Sequence, residues 1–512
     1  MKKYILFFAT ATVVLAGCKK NYLDLNENPN LPSTVSAASL LAAAEVRTAG
    51  IMVDPSASYF NVWMDQWAFS PNYAVSQDIR DYKFTNAFQQ GLFADFYSNG
   101  FDYQKMIDFA IAQKNPALEG IGRTMKSMLM QYAVDVYNNV PYSEAFKGAN
   151  NQTPVYDDAK TVYEAIYNDL NLAVAKFDSA QASQFPTATQ DIMFGGDKGL
   201  WIKLANTIKL RILLRQSARG DRASYIAQHV AADFPDGLSS FLGQGEIAQV
   251  NPGFTNADTK QNPYWASFGY SASGSKTGNN DYFKAAAYAV SFYTGQNDIR
   301  GFFAEKPVGS GSGSNSMFGY LFRGNEMGIQ GLGTQTYSDN LDNLAGDLFG
   351  VPDQTFRSPA DPQPIVTDFE SLFLQAEAVQ RGWFTGDAQT LYDEAVQQSF
   401  NYMFDHFYAG AGADAYAVLN PDPRNDWASA TDKIQLIITQ KWAALNTLNF
   451  FEPWAEYRRT GFPNVPLSSS LSRGPHIPWR LKYPQNEYDL NGKNVSAQGD
   501  VDQFTSKIWW MP

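Results

Sequence analysis

The sequence predicts a mainly α protein: paired helices forming a scaffold, an irregular loop-rich insertion, and little β-structure. Three observations carry this. Apolar residues recur at helical spacing over long stretches, one stretch carries a helix stop and a new cap at its middle, and two Gly/Ser-rich runs interrupt the centre of the chain.

The helices follow in chain order. In 121–136, Ile121, Met125, Met128, Leu129, Tyr132 and Val136 fall on one face, and in 158–178 the set is Tyr163, Ile166, Tyr167, Leu170, Val174 and Phe177. In 197–216 the stripe is Trp201, Leu204, Ala205, Ile208 and Ile212, with Leu210, Leu213 and Leu214 on the far side, so this helix is expected to be packed on both faces. Arg211 and Arg215 lie on or beside that stripe, where a guanidinium needs a carboxylate or carbonyl partner. In 368–400, Phe369, Leu372, Phe373, Ala376 and Gln380 trace a face; Gly382 stops it; Asp387 can cap a second helix carrying Leu391, Tyr392, Ala395 and Phe400. Helix, Gly-containing turn and helix make a tetratricopeptide-like unit, and a further pair is expected at about 431–448 and 450–459. Such units bury their faces by stacking.

The insertion, about 234–365, holds SASGSKTGNN (271–280) and GSGSGSNS (309–316), both expected as flexible loops. Tyr264, Trp265, Tyr270, Tyr282, Tyr320, Phe322, Asn325 and Tyr337 crowd around them. Irregular segments on a rigid scaffold are where binding is usually placed. No clean linker is visible, so one helical body is expected in spite of the 512-residue length.

The amino terminus reads as a lipoprotein signal. Lys2 and Lys3 precede ILFFATATVVLA (5–16), too short an apolar run to span a bilayer, and Leu15-Ala16-Gly17 leads into Cys18, the only cysteine. Lipidation of Cys18 would anchor the chain in membrane lipid without spanning it and rules out an internal disulfide. The expected organisation is a signal peptide at 1–17, a tether at 18–30 and a helical domain at 31–512.

Composition narrows the partners. Asp+Glu outnumber Lys+Arg by 51 to 39, a net charge of −12, and without a basic stripe nucleic-acid binding is not expected. No catalytic motif emerges. His229, His406 and His476 lie at no metal-ligand spacing, and no HExxH, G-x-S-x-G or Walker loop occurs. Asp24-x-Asn26-x-Asn28 imitates the start of a calcium loop, but Pro29 replaces the required Gly and Val35 the bidentate Glu, so these side chains are read as turn-formers. No cofactor or metal is expected, with a structural calcium ion left open.

Eight blocks then carry a family resemblance: LDLNENPN (23–30), DVYNNVPYSEAF (135–146), LWIKLANTIKLRILLR (200–215), NDIRGFF (297–303), ESLFLQAEAVQRGWFTGDA (370–388), ITQKWAALN (438–446), EYRRTGFP (456–463) and RLKYPQNEY (480–488). In this order they resemble the SusD/RagB superfamily of Bacteroidetes surface lipoproteins, most closely its second SusD-like branch. The resemblance implies a SusD-like α/α fold with four tetratricopeptide-like pairs. It also implies a surface-exposed outer-membrane lipoprotein that lids a SusC-type TonB-dependent transporter and captures oligosaccharides, or in some members peptides, without catalysis. A purely structural tetratricopeptide-like envelope scaffold is the competing reading; it explains the helices but not the aromatic-rich loops. Glu370, Glu377, Arg458 and Arg459 are expected as scaffold ion pairs.

The family holds its ligands with loops from two parts of the chain, here 63–82 and 262–337. The expected contacts are Trp67, Asn72, Tyr73, Asp78 and Arg80 from the first, and Tyr264, Trp265, Tyr270, Asn280 and Tyr320 from the second. Aromatic faces pack on sugar C–H groups while amide and charged side chains bond hydroxyls.

Overall fold

A computed structural model describes residues 36–73, 75, 77–329, 335–340 and 356–512. Residues 1–17, expected as a signal peptide, Cys18 and the Asp24–Asn28 segment lie outside these residues. No described helix is long and apolar enough to cross a membrane.

Ten helices build the body: α1 (Ala37–Met52), α2 (Gln90–Ala112), α3 (Pro116–Tyr137), α4 (Ala159–Ser179), α5 (Lys198–Arg215), α6 (Ala223–Ala232), α7 (Asp368–Gln380), α8 (Ala388–Phe404), α9 (Lys433–Leu445) and α10 (Glu452–Thr460). α1 packs on α2, α2 on α3, α3 on α4 and α4 on α5; α7 packs on α8 and α9, and α9 on α10. The starts are fixed by side-chain caps, because the first helical N–H groups have no intrahelical partner. Asn115 Oδ1 accepts from Leu118 N at 3.1 Å, and Asp158, Asp197, Thr367, Asp387 and Asp432 do the same for α4, α5, α7, α8 and α9. Gly382 ends α7 with φ +74°, the left-handed value that a glycine adopts without strain.

The two-sided packing expected for α5 is present: Trp201, Leu204, Ile208 and Ile212 are buried, and so are Leu210, Leu213 and Leu214. Its arginines find their partners. Arg211 Nη1 lies 3.0 Å from Glu370 Oε1 on α7; Arg215 lies 2.6 Å from Glu452 and 3.0 Å from Glu456 on α10, and 3.2 Å from Asp135 on α3. Lys441 on α9 joins Glu452 at 3.0 Å and Glu456 at 2.9 Å, and Arg459 holds Glu377 with two bonds of 2.5 and 2.7 Å. Arg458 donates to the carbonyls of Asp135 and Trp479 at 2.5 and 2.9 Å. All these side chains are buried. Burial opposes ionisation of Glu452, but Arg215, Lys441 and Arg211 together hold it down to about 2. Five helices are thereby tied through charge as well as apolar contact.

The β-structure is short. β1 (Trp67–Phe69) pairs antiparallel with β3 (Phe283–Ala285), and β2 (Ala248–Val250) with β4 (Gln363–Val366). The second pair clasps the two ends of the insertion. Two segments expected as loops are partly ordered elements. Residues Gly278–Tyr282 form a short helix capped by Thr277 Oγ1, and Gly309–Ser310, Ser316–Met317 and Tyr320–Leu321 form a small antiparallel sheet. Local side-chain caps and backbone pairing order these Gly/Ser runs without an apolar core of their own.

Candidate functional site

The two segments expected to hold ligand do meet, at two levels. Below the surface, β1 lies against β3 with Trp67 opposite Ala285 and Phe69 opposite Phe283. Trp67 is 0% exposed, surrounded by Tyr264, Phe268, Phe283 and Phe450 rings at 5.0–6.3 Å, and its indole N–H donates to Asn446 Oδ1 at 3.2 Å. A sugar cannot reach it. Above the strands the chain surfaces at Asn72 and Tyr73, and Tyr73 is 39% exposed. Its ring stands edge-on to Tyr282 at 5.4 Å, and its hydroxyl donates to Asp281. That bond, with a smaller burial effect, pushes the Tyr73 phenol up.

Behind Tyr73 runs a ladder of rings: Tyr282 against Phe69 at 5.2 Å, Phe69 against Tyr59 at 6.0 Å, and Tyr59 against Phe88 at 5.3 Å. Ser70 N donates to Tyr282 O at 2.7 Å and locks the two segments in register. Burial pushes the Tyr59 phenol up to about 12. The result is a half-exposed aromatic platform, Tyr73 and Tyr282, on a buried foundation. Asp281 accepts the Tyr73 hydroxyl bond beside it, Asn72 directly precedes Tyr73 in the chain, and Asp78 is exposed. Half-buried Arg80 lies 3.7 Å from Asp81 and belongs to the same segment. Asp281 also faces Lys284 at 4.0 Å.

Four of the five residues expected from the second segment are structural. Tyr264 is buried and donates to Asn340 O at 2.6 Å. Trp265 is buried in a short helix whose cap, Asn262, accepts from its N–H at 3.1 Å. Tyr270 is buried against Trp265 at 5.9 Å. Asn280 is buried and spends its amide on Phe268 O at 2.8 Å. The three aromatics lie beneath the surface because large rings fill the space that the short helices enclose, and Asn280 is buried because its amide satisfies a backbone carbonyl there. Tyr320 is half-buried, edge-on to Phe302 at 5.5 Å in the small sheet. Asp281 and Tyr282, which directly follow Asn280 in the chain and are absent from the expected contacts, are the residues that meet Tyr73.

Cavities among the described residues lie elsewhere. One of about 770 Å³ is lined by α6 and the turn after α7, one of about 510 Å³ by Arg357, Tyr402 and His406, and one of about 320 Å³ by Tyr416 and Trp427. None of the ten expected residues lines these three.

The family model SusD-like_2, described as "Starch-binding associating with outer membrane", matches residues 29–484. The chain belongs to this SusD-like family. The structural relatives agree on the fold. A SusD homolog from Bacteroides fragilis superposes with a TM-score of 0.72 at 20% identity, covering 93% of this chain and 100% of that one. A chitin-binding protein gives 0.72 at 23% identity over 93% and 100%, and a chitin-binding SusD homolog from Flavobacterium johnsoniae gives 0.68 at 21% over 92% and 98%. No curated protein matches the SusD-like chain. Its family places it among proteins associated with the outer membrane.

Proposed function

We propose that this SusD-like chain is a surface lipoprotein, anchored through Cys18, that captures oligosaccharides without catalysis and delivers them to a SusC-type TonB-dependent transporter. The observation that carries the reading is the match of a starch-binding, outer-membrane family to residues 29–484. The Tyr73–Tyr282 platform supports it, and in this reading Asn72, Asp78 and Asp281 bond the hydroxyls. Chitin binding by two structural relatives favours a glycan as the ligand class. The platform is a patch and not a deep pocket, which suits extended chains whose rings lie flat on an aromatic face.

The test is a glycan-array screen followed by calorimetry on the best ligand, with the glycan recovered afterwards and sized. Binding with unchanged glycan length is expected, and a pull-down is expected to recover a large barrel protein. Shortened glycan, or the absence of any glycan ligand, would sink this reading.

A further inference from the structure

Buried arginines in this chain follow one rule with one exception. Arg211, Arg215, Arg222, Arg300 and Arg459 each sit against a carboxylate, and Arg458 and Arg480 each donate to two or more backbone carbonyls. This is the expected cost-avoiding arrangement for a guanidinium taken out of water. Arg357 is 7% exposed and departs from it. Among the described residues no carboxylate lies within 4.0 Å of it, and its one hydrogen bond runs from Nη1 to Thr447 Oγ1 at 2.9 Å. The guanidinium carbon lies over two rings, 3.8 Å from the Tyr264 centroid and 4.9 Å from that of Phe303.

The Tyr264 and Phe303 rings and the Thr447 bond hold the guanidinium in place. The Nε–Nη2 edge is left without a partner among the described residues, and Arg357 lines the cavity of about 510 Å³ with Gln249, Phe303, Asp361, Tyr402 and His406. A rigid guanidinium with a whole edge to offer matches the two oxygens of a carboxylate. Asp361 does not fill this role: its Oδ2 accepts from Ser358 N at 2.7 Å. Burial pushes its carboxyl up, against the pull of that N–H, of Arg357 and of His406, so it is a poorer counter-charge than an exposed aspartate.

We propose that this cavity is a second ligand site that takes a carboxylate-bearing sugar, a uronic acid unit, gripped by the Nε–Nη2 edge of Arg357. The choice of a sugar among carboxylates rests on the glycan reading above; the preference for a carboxylate rests on Arg357 alone. Tyr402 and Phe303 give the ring an apolar wall, and Gln249 offers an amide for hydroxyls.

The experiment titrates glucuronate and its neutral methyl ester into the full chain by calorimetry at low salt. Glucuronate is expected to bind in the millimolar range or tighter, with the ester at least about ten-fold weaker. Arg357→Gln is expected to lose at least about ten-fold, and Arg357→Lys, which keeps the charge but not the fork, several-fold, with melting temperature followed for each. Equal binding of acid and ester, no binding of either, or wild-type affinity in Arg357→Lys would overturn the proposal. A short peptide bound through its free carboxyl terminus, with glucuronate unbound, would overturn the sugar assignment. Failure here leaves capture of neutral glycans at Tyr73 untouched, since Tyr73 lines a different surface.

Discussion

Trp67 and Tyr73 stand one short turn of chain apart, and both invite the same reading as sugar platforms. Trp67 lies on β1, walled by four rings and hydrogen-bonded to Asn446; Tyr73 lies past the strand end, open on one side and bonded to Asp281. The buried ring has spent its faces and its polar handle on the fold. The exposed ring has spent its hydroxyl and one edge, and keeps a face. An aromatic's availability is thus set by what closes over it, here β3 and the short helix Pro263–Phe268, and not by its residue type or neighbours in sequence.

The sharpest way to break this contrast is Trp67→Ala. It should cost roughly 3–5 kcal/mol of stability, because the cavity it leaves is walled by rings that cannot collapse and Asn446 loses its donor. Denaturant unfolding measures it; a variant as stable as wild type would place Trp67 at a surface. Next comes Glu452→Gln, which removes one carboxylate from Arg215 and Lys441 and should cost about 3 kcal/mol or somewhat more. Glycan affinity measured on whatever fraction stays folded should be unchanged, since the network lies within the scaffold.

Tyr73→Ala should do the reverse. Affinity should fall by roughly 1–3 kcal/mol, by analogy with aromatic stacking on bases, while the melting temperature holds. If calorimetry shows normal binding, or the melting point drops by many degrees, Tyr73 is scaffold too.

The smallest effect concerns pH. Glu45 on α1 is buried beside Asp191, its Oε2 accepting from Ile192 N at 2.9 Å, and burial followed by repulsion from Asp191 raises it from 4.5 to about 10. A raised carboxyl contributes stability below its unfolded value and loses it as pH climbs from 4.5 towards 10; Glu452, held at about 2, contributes above 4.5 and loses it as pH falls towards 2. Thermal melts should therefore decline on both flanks. Glu45→Gln should raise the melting temperature at pH 9 by about 1–3 °C and leave it nearly unchanged at pH 5. An equal shift at both values would show a packing effect instead of a titration.

Asp191 shows how local chemistry and tertiary context combine. Its carboxylate accepts from Met193 N, Phe194 N and Gly196 N at 3.0, 2.9 and 2.7 Å, and from Trp201 Nε1 at 2.8 Å. The turn requires glycine at 196, with φ +83°, where a Cβ would stand 2.1 Å from Pro186 O. Nothing in the spacing of these residues announced that Glu45, far away in sequence, completes the cluster.

By itself the sequence determined the helices of the second half, the cap at Asp387, the two-sided burial of α5, the need of Arg211 and Arg215 for partners, and the family. These are legible because helical periodicity and capping act within a few residues, and because a buried guanidinium has few acceptable environments. The tertiary structure alone decided which aromatics remain at the surface. Trp67 is buried by pairing between segments some two hundred residues apart, opposite Ala285, and against Tyr264, while Trp265 and Tyr270 are buried against each other and Tyr73 and Tyr282 stay half-open. An amphipathic ring satisfies a core and a sugar equally well, so only the long-range closure of β1 on β3 could separate them.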